Sequence, residues 1–127
     1  MNLLDENVRD DQRTLLRQWR IPFRQIGKEI SSKGIQDDNV LPLLHRLKGV
    51  TFFTHDEDFF KRALCHNSYC LVWLDVKQNE AAAYIRAFLR DASFRTRAQR
   101  IGKVVHVRIG GALYWQTGRL LLHLLKW

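Results

Sequence analysis

Short apolar runs alternate with amphipathic ones along the whole chain. Residues 2–4 are apolar, end in acids and read as a strand. Over residues 8–20, Val8, Leu15, Leu16 and Trp19 share one helical face, and Arg9, Arg13, Arg17 and Arg20 fall on the other. Pro22 ends that helix, because the residue before a proline avoids the helical region. Residues 22–26 read as a weak strand and residues 31–34 as a loop. Residues 38–48 form a second helix, with Val40, Leu41, Leu44 and Leu47 inward and Gly49 as its stop. Pro42 confines the start of that helix to the residues just before it, since proline fits only near a first turn.

Residues 50–53 and 69–74 are apolar runs of strand length, and a short helix is expected to open between them at 54–64. Residues 80–91 place Tyr84, Ile85, Phe88 and Leu89 on one helical face. Strands at 103–109 and 113–116 flank Gly110-Gly111, which is a hairpin signal. An apolar tail of no clear form occupies residues 120–127. Strands alternating with helices predict an α/β fold, with a mostly parallel sheet, helices on both faces and a C-terminal antiparallel hairpin.

With 127 residues, 46% of them hydrophobic, the chain makes one domain over 1–127 with a core that needs no disulfide or structural metal. Charge sharpens the picture. Lys and Arg number 21 against 13 Asp and Glu, a net +8, which favours contact with polyanions such as RNA or DNA, and less often an anionic membrane. Cys65 and Cys70 are not spaced as C-x-x-C; they read as reduced, mostly buried thiols, or as a metal site shared with His66. The first six residues have neither a basic segment nor a long apolar run, and the apolar stretch 120–125 is too short to cross a bilayer. A cytoplasmic protein without a membrane partner is expected.

In a sheet of this kind the working site lies beyond the carboxyl ends of the strands. Asp5 and Glu6 follow the first strand, Asp56 and Asp58 the run 50–53, and Asp75 the run 69–74, while Asp37 and Asp38 begin a helix near the same rim. Gathered carboxylates raise each other's pKa unless a cation joins them. Mg²⁺ takes a few carboxylates plus waters, and can make hydroxide from water and offset charge on a phosphoryl oxygen. Each acid also has a structural reading. Asp37 or Asp38 can cap a helix, Asp5 can begin a turn, and Thr54-His55-Asp56-Glu57 reads as a capping box with Asp56 against the helix dipole. Convergence of several on one rim favours a metal site. His55 and His66 read as structural, and Asn7, close behind Asp5, as a supporting group. Arg13 and Arg17 are candidate phosphate contacts. Arg86, Arg90, Arg95, Arg97, Arg100 and Lys103, with Phe94 among them, form either a solvated helix end or an RNA track.

Leu3-Leu4-Asp5-Glu6-Asn7, Asp38 at a helix start and Thr54-His55-Asp56-Glu57-Asp58-Phe59 after a strand together resemble the small PIN-like nucleases. These are shortened relatives of the PIN-domain ribonuclease toxins of type II toxin–antitoxin systems. The resemblance covers about the first three quarters of the chain, including the interval from Asp38 to Thr54 with Gly49 before the strand. It implies a three-layer α/β/α Rossmann-like fold and a ribonuclease dependent on Mg²⁺ or Mn²⁺. Asp5, Asp38 and Asp56 would hold the metal and Asp58 would assist, with Glu6, Asn7 and Thr54 as supporting groups. Arg13, Arg17, Arg90 and Arg97 would meet the RNA, and a small antitoxin would be the protein partner. Full-length PIN domains carry one more acid on a helix before the Asp38 position. Here Glu6 is the nearest stand-in and Glu29 a poor one, and Pro42 is unusual in that helix.

Two other readings stand beside the endoribonuclease. One is a non-catalytic module of the same fold that binds RNA or a protein. The other is a phosphoacceptor signalling domain, ranked last because Asp75 follows the fourth strand where Ser or Thr is wanted, and Arg108-Ile109-Gly110 the fifth where Lys is. The tail at 120–127 is either packed at home or an apolar surface for a partner or for self-association.

Overall fold

The structure, a computed structural model, describes residues 1–30 and 37–127, without the side chains of residues 37 and 38. The loop expected at 31–34 lies outside the described residues. In chain order the elements are β1 (Asn2–Leu4), α1 (Asp10–Gln18), β2 (Arg24–Gln25), α2 (Asp37–Leu47), β3 (Val50–Thr54), β4 (Tyr69–Asp75), α3 (Ala81–Arg90), α4 (Arg97–Arg100), β5 (Lys103–Arg108), β6 (Gly111–Gln116) and β7 (His123–Lys126). Single 3₁₀ turns occupy Glu57–Phe59, Arg62–Leu64 and Gln78–Glu80. One seven-stranded sheet runs in the order β2-β1-β3-β4-β5-β6-β7. The first five strands are parallel, and β6 and β7 are antiparallel to their neighbours.

Alternation along the strands divides the core. Leu3, Phe52, Leu71 and Val104 pack with Val40, Leu43 and Leu44 of α2. Leu4, Phe53, Val72 and Val105 pack with Leu16 of α1 and Ile85 and Phe88 of α3. Both faces of the parallel strands are covered, which is why these segments read as continuous apolar runs. The chain leaves β1 for β2 on one side and later enters β3 on the other. The crevice beyond the carboxyl ends of β1 and β3 is therefore the point where the strand order reverses.

Several expectations are corrected. No helix spans 54–64. Thr54 stays in β3, and Phe59 turns into the α2-side core while Phe60 packs against Trp73. Lys61 then takes extended backbone, so only two separate 3₁₀ turns form. Helix α1 begins at Asp10, leaving the buried Val8 in the preceding turn. Pro42 lies well inside α2, at an exposed position, and not in its first turn. Residues 123–126 form β7, the antiparallel edge strand. Gly111 makes that pairing possible: a Cβ there would run into the Leu125 carbonyl oxygen.

Candidate functional site

Asp5 follows β1 directly, and its backbone N–H donates to the Phe53 carbonyl of β3 at 2.9 Å, which pins it to the neighbouring strand. Its Oδ1 accepts the Glu6 backbone N–H at 2.8 Å, and its Oδ2 accepts the Thr54 hydroxyl at 2.6 Å. Thr54 is fully buried at the end of β3, and the same hydroxyl oxygen accepts the Asp56 N–H at 3.0 Å. One threonine thus ties the carboxylate after β1 to the turn after β3. Hydrogen bonds to an ionised carboxylate are short and strong, so this link orients Asp5.

The expected capping box is absent in this form. Asp56, not Thr54, caps the 3₁₀ turn, its Oδ1 accepting the Asp58 N–H at 2.9 Å, and Glu57 is the first residue of that turn. Thr54 cannot cap because its hydroxyl is committed between Asp5 and Asp56. Asp58 is exposed on the turn; Glu6 and Asn7 are exposed on the turn after β1. Glu6 supports Asp5 through its backbone.

His55 sits between Thr54 and Asp56 with Nδ1 3.1 Å from the Leu74 carbonyl. A carbonyl only accepts, so Nδ1 carries the proton. Burial holds the imidazole below its ordinary pKa, outweighing the hydrogen bond to Leu74 and the field of Asp5. The ring is neutral at pH 7, and its buried Nε2 lone pair has no hydrogen-bond partner.

An open cavity of about 450 Å³ is lined by His55, Asp56, Glu57, Asp75 and Gln78 on the β4 side. Another, of about 400 Å³, is lined by Glu6, Asn7, Asp10, Gln25 and Lys28 on the β2 side. Asp75 does not join Asp5; its Oδ2 lies 2.9 Å from His106 Nε2, and His106 stacks on Trp73 at 3.9 Å between centroids. Helix α2 delivers the chain to the amino end of β3 within three residues of its end, so its first turn, with Asp37 and Asp38, comes from the carboxyl end of the sheet. The carboxylate of Asp38 is outside the described residues. Among the described residues no three His, Cys, Asp or Glu side chains group as a metal site.

Arg13 is the clearest correction. Its side chain is 7% exposed and engaged on two sides, donating to Gln25 Oε1 at 2.8 Å and bidentately to Glu29 at 3.1 and 3.0 Å. It does not face phosphate, because α1 lays it against β2 rather than outward. The Arg13 hydrogen bonds hold the Glu29 carboxyl below its ordinary pKa. Gln25 extends the chain of contacts, its amide donating to the carbonyls of Asp5 at 2.9 Å and Val8 at 2.8 Å. Arg13, Glu29 and Gln25 thereby brace the turn that carries Asp5. Sequence reasoning missed this brace; its one signal was a polar residue, Gln25, at an inward position of a weak strand.

Arg17 is exposed and lies over the Phe23 ring at 5.5 Å. Arg90 and Arg97 are exposed but do not border Asp5: the Arg97 guanidinium lies against Gly49, just ahead of the amino end of β3. Phe94 is fully buried and stacks on Phe88 at 4.4 Å, so it offers no platform for a base. The Cys65–His66–Cys70 reading also fails to assemble. Burial pushes the Cys70 thiol up to about 12, and His66 faces solvent with Nδ1 accepting the Ser68 N–H.

Comparison with family models, with curated proteins and with solved structures finds no match to this chain. Among the described residues no helix is long and apolar enough to cross a membrane.

Proposed function

We propose that this chain is a PIN-like endoribonuclease with a three-layer Rossmann-like fold, acting as the toxin of a type II pair with a small antitoxin as partner. The observation that carries the reading is the Thr54 hydroxyl, shared between the Asp5 carboxylate and the Asp56 N–H where the strand order reverses. The donor set there is all oxygen, the chemistry that suits Mg²⁺ or Mn²⁺ rather than a softer metal. Asp5 and Asp56 would hold the ion with Asp38, and Asp58 would assist. The ion, when bound, supplies an acidified water and offsets charge on the phosphoryl oxygens. Thr54 fixes the direction of the Asp5 carboxylate. The Arg13–Gln25 brace fixes the turn behind it, and the neutral His55 leaves an acceptor beside Asp56 without adding charge.

The test is cleavage of single-stranded RNA by purified protein with and without Mn²⁺. Asp5→Asn and Asp56→Asn are expected to lower the rate more than roughly 100-fold, beyond the 10–100-fold that loss of a supporting group costs. Thr54→Val belongs in that smaller range, about 10–100-fold. Full activity in both Asp variants overturns the site. A wild type that binds RNA, cleaves none and gains no stability from Mn²⁺ supports the non-catalytic module instead.

A further inference from the structure

The end of the sheet opposite Asp5 carries a second surface. Arg24 opens β2, Lys48 precedes β3, and Arg95, Arg97 and Arg100 lie in the segment that leads into β5. These positions converge on the amino ends of the strands. Arg24 and Arg100 line one cavity of about 550 Å³ with Met1, Asn2, Pro22 and Phe23. Arg97 reaches Gly49. Arg100 is half-buried and held in place by Thr51 Oγ1 at 3.0 Å and by the carbonyls of Phe94 and Arg95 at 2.9 and 3.2 Å.

None of these five cations forms an ion pair with the described residues. The Lys and Arg pairs found among them are Arg9–Asp11, Arg13–Glu29 and Lys28–Asp10, all on the α1 and β2 side of the other end. The Met1 amine, below its ordinary pKa through burial, is pushed further down by Arg97 and Arg100. Cations gathered this way repel one another, and a polyanion laid across them relieves the repulsion.

We propose that this amino edge docks the phosphate backbone of single-stranded RNA. The inference does not rest on cleavage at Asp5; it holds for an inactive chain as well. Four of the five cations are arginines, whose planar forks match phosphate oxygens. The half-buried Phe23 ring shares the cavity with Arg24 and Arg100. Arg13 and Arg17 lie over that ring at 5.1 and 5.5 Å, so it offers the cavity an apolar wall beside cations; such a wall suits an unpaired base next to its phosphate, which a duplex does not offer. The row crosses β2, β1 and β3, about 10 Å at the usual strand spacing, so it meets neighbouring phosphates rather than a single anion.

The experiment is fluorescence anisotropy with a labelled oligouridylate, in EDTA so that no cleavage intervenes, over a series of salt concentrations. Two triple variants with equal loss of charge are compared. Arg24→Gln/Arg95→Gln/Arg97→Gln strips the amino edge; Lys77→Gln/Arg108→Gln/Lys126→Gln strips cations from the other end, outside the cavities beside Asp5. All six side chains are exposed. The amino-edge triple is expected to weaken binding at least tenfold and to flatten the log–log salt slope by about 2, at ~0.7 per phosphate on a single strand. The control triple is expected to bind within about threefold of wild type with its slope unchanged, as exposed cations that touch no phosphate should. Equal weakening by both triples would show that net charge alone binds RNA and would overturn the proposal. So would wild-type binding to polyglutamate or to phosphatidylserine vesicles but not to oligouridylate. Should the triple fail to fold, judged by circular dichroism, Arg24→Gln and Arg97→Gln read singly decide it: unchanged slopes in both overturn it.

Discussion

At the carboxyl end of the sheet carboxylates are tied into hydrogen bonds and ion pairs, whereas at the amino end cations stand without a carboxylate partner among the described residues. Asp5 is held by Thr54 and Glu6, Glu29 by Arg13 and Gln25, and Asp56 by the turn it caps. Arg24, Arg95, Arg97 and Arg100 meet only carbonyls, hydroxyls or solvent. Part of the contrast is helix electrostatics. Helices α1, α2 and α3 start at the carboxyl end, where Asp10 and Asp11 suit the positive terminus of α1, and finish at the amino end, where Arg17, Arg46 and Arg90 suit their last turns. Arg24 and Arg95 lie outside any helix and Arg97 in a four-residue turn. Dipoles do not account for them. The two ends therefore differ in kind: one uses charge to build a geometry, the other leaves charge available.

The largest expected effect breaks the built end. Arg13→Met removes a buried guanidinium, leaves Gln25 Oε1 without its donor and leaves Glu29 only the Gln25 N–H, and should cost about 3 kcal/mol in urea unfolding. Thr54→Val is expected to cost about 2 kcal/mol, since it removes the hydroxyl that donates to Asp5 and accepts the Asp56 N–H. Next comes pH. The Arg13 hydrogen bonds hold the Glu29 carboxyl below its ordinary value in the fold, so the unfolded chain binds a proton more readily. The stabilisation is complete above that value and is lost as pH falls through the lower, folded pKa. Acid unfolding curves of Arg13→Met should lack this component. The smallest effect belongs to the other end: Arg97→Ala is expected to change stability by no more than about 0.5 kcal/mol, toward greater stability as repulsion with Arg100 is relieved. A loss of 2 kcal/mol or more there, on the order of a broken buried contact, would mean that the amino edge is structural too.

How far the sequence foretold this differs by feature. The parallel strands were legible because both faces are buried and their apolar runs are unbroken. The hairpin followed from Gly110-Gly111. Strand β7 was not legible, because its pairing depends on Gly111 allowing the Leu125 backbone close, a long-range condition. Arg13 was misplaced because helical spacing groups it with Arg9 and Arg17, and only the position of β2 turns it inward. Thr54 looked like a cap from its neighbours in sequence; its actual partner, Asp5, is 49 residues away. Phe94 sat among arginines in the sequence and in the core in space. Local pattern found the parallel strands and the hairpin, and tertiary placement decided which charges are tied into contacts and which are left without an ion pair.

The central claim, that the carboxyl end holds a divalent cation on Asp5, is tested most directly by melting the purified protein in EDTA and across a Mn²⁺ titration. Binding to the folded state alone raises stability as RT ln(1 + [L]/Kd). Wild type should gain melting temperature steadily with Mn²⁺. Asp5→Asn should melt within a few degrees of wild type in EDTA, because the asparagine can still accept the Glu6 N–H and meet Thr54, and should gain nothing from Mn²⁺. A wild type indifferent to Mn²⁺, or an Asp5→Asn protein that gains as much as wild type, would contradict the account.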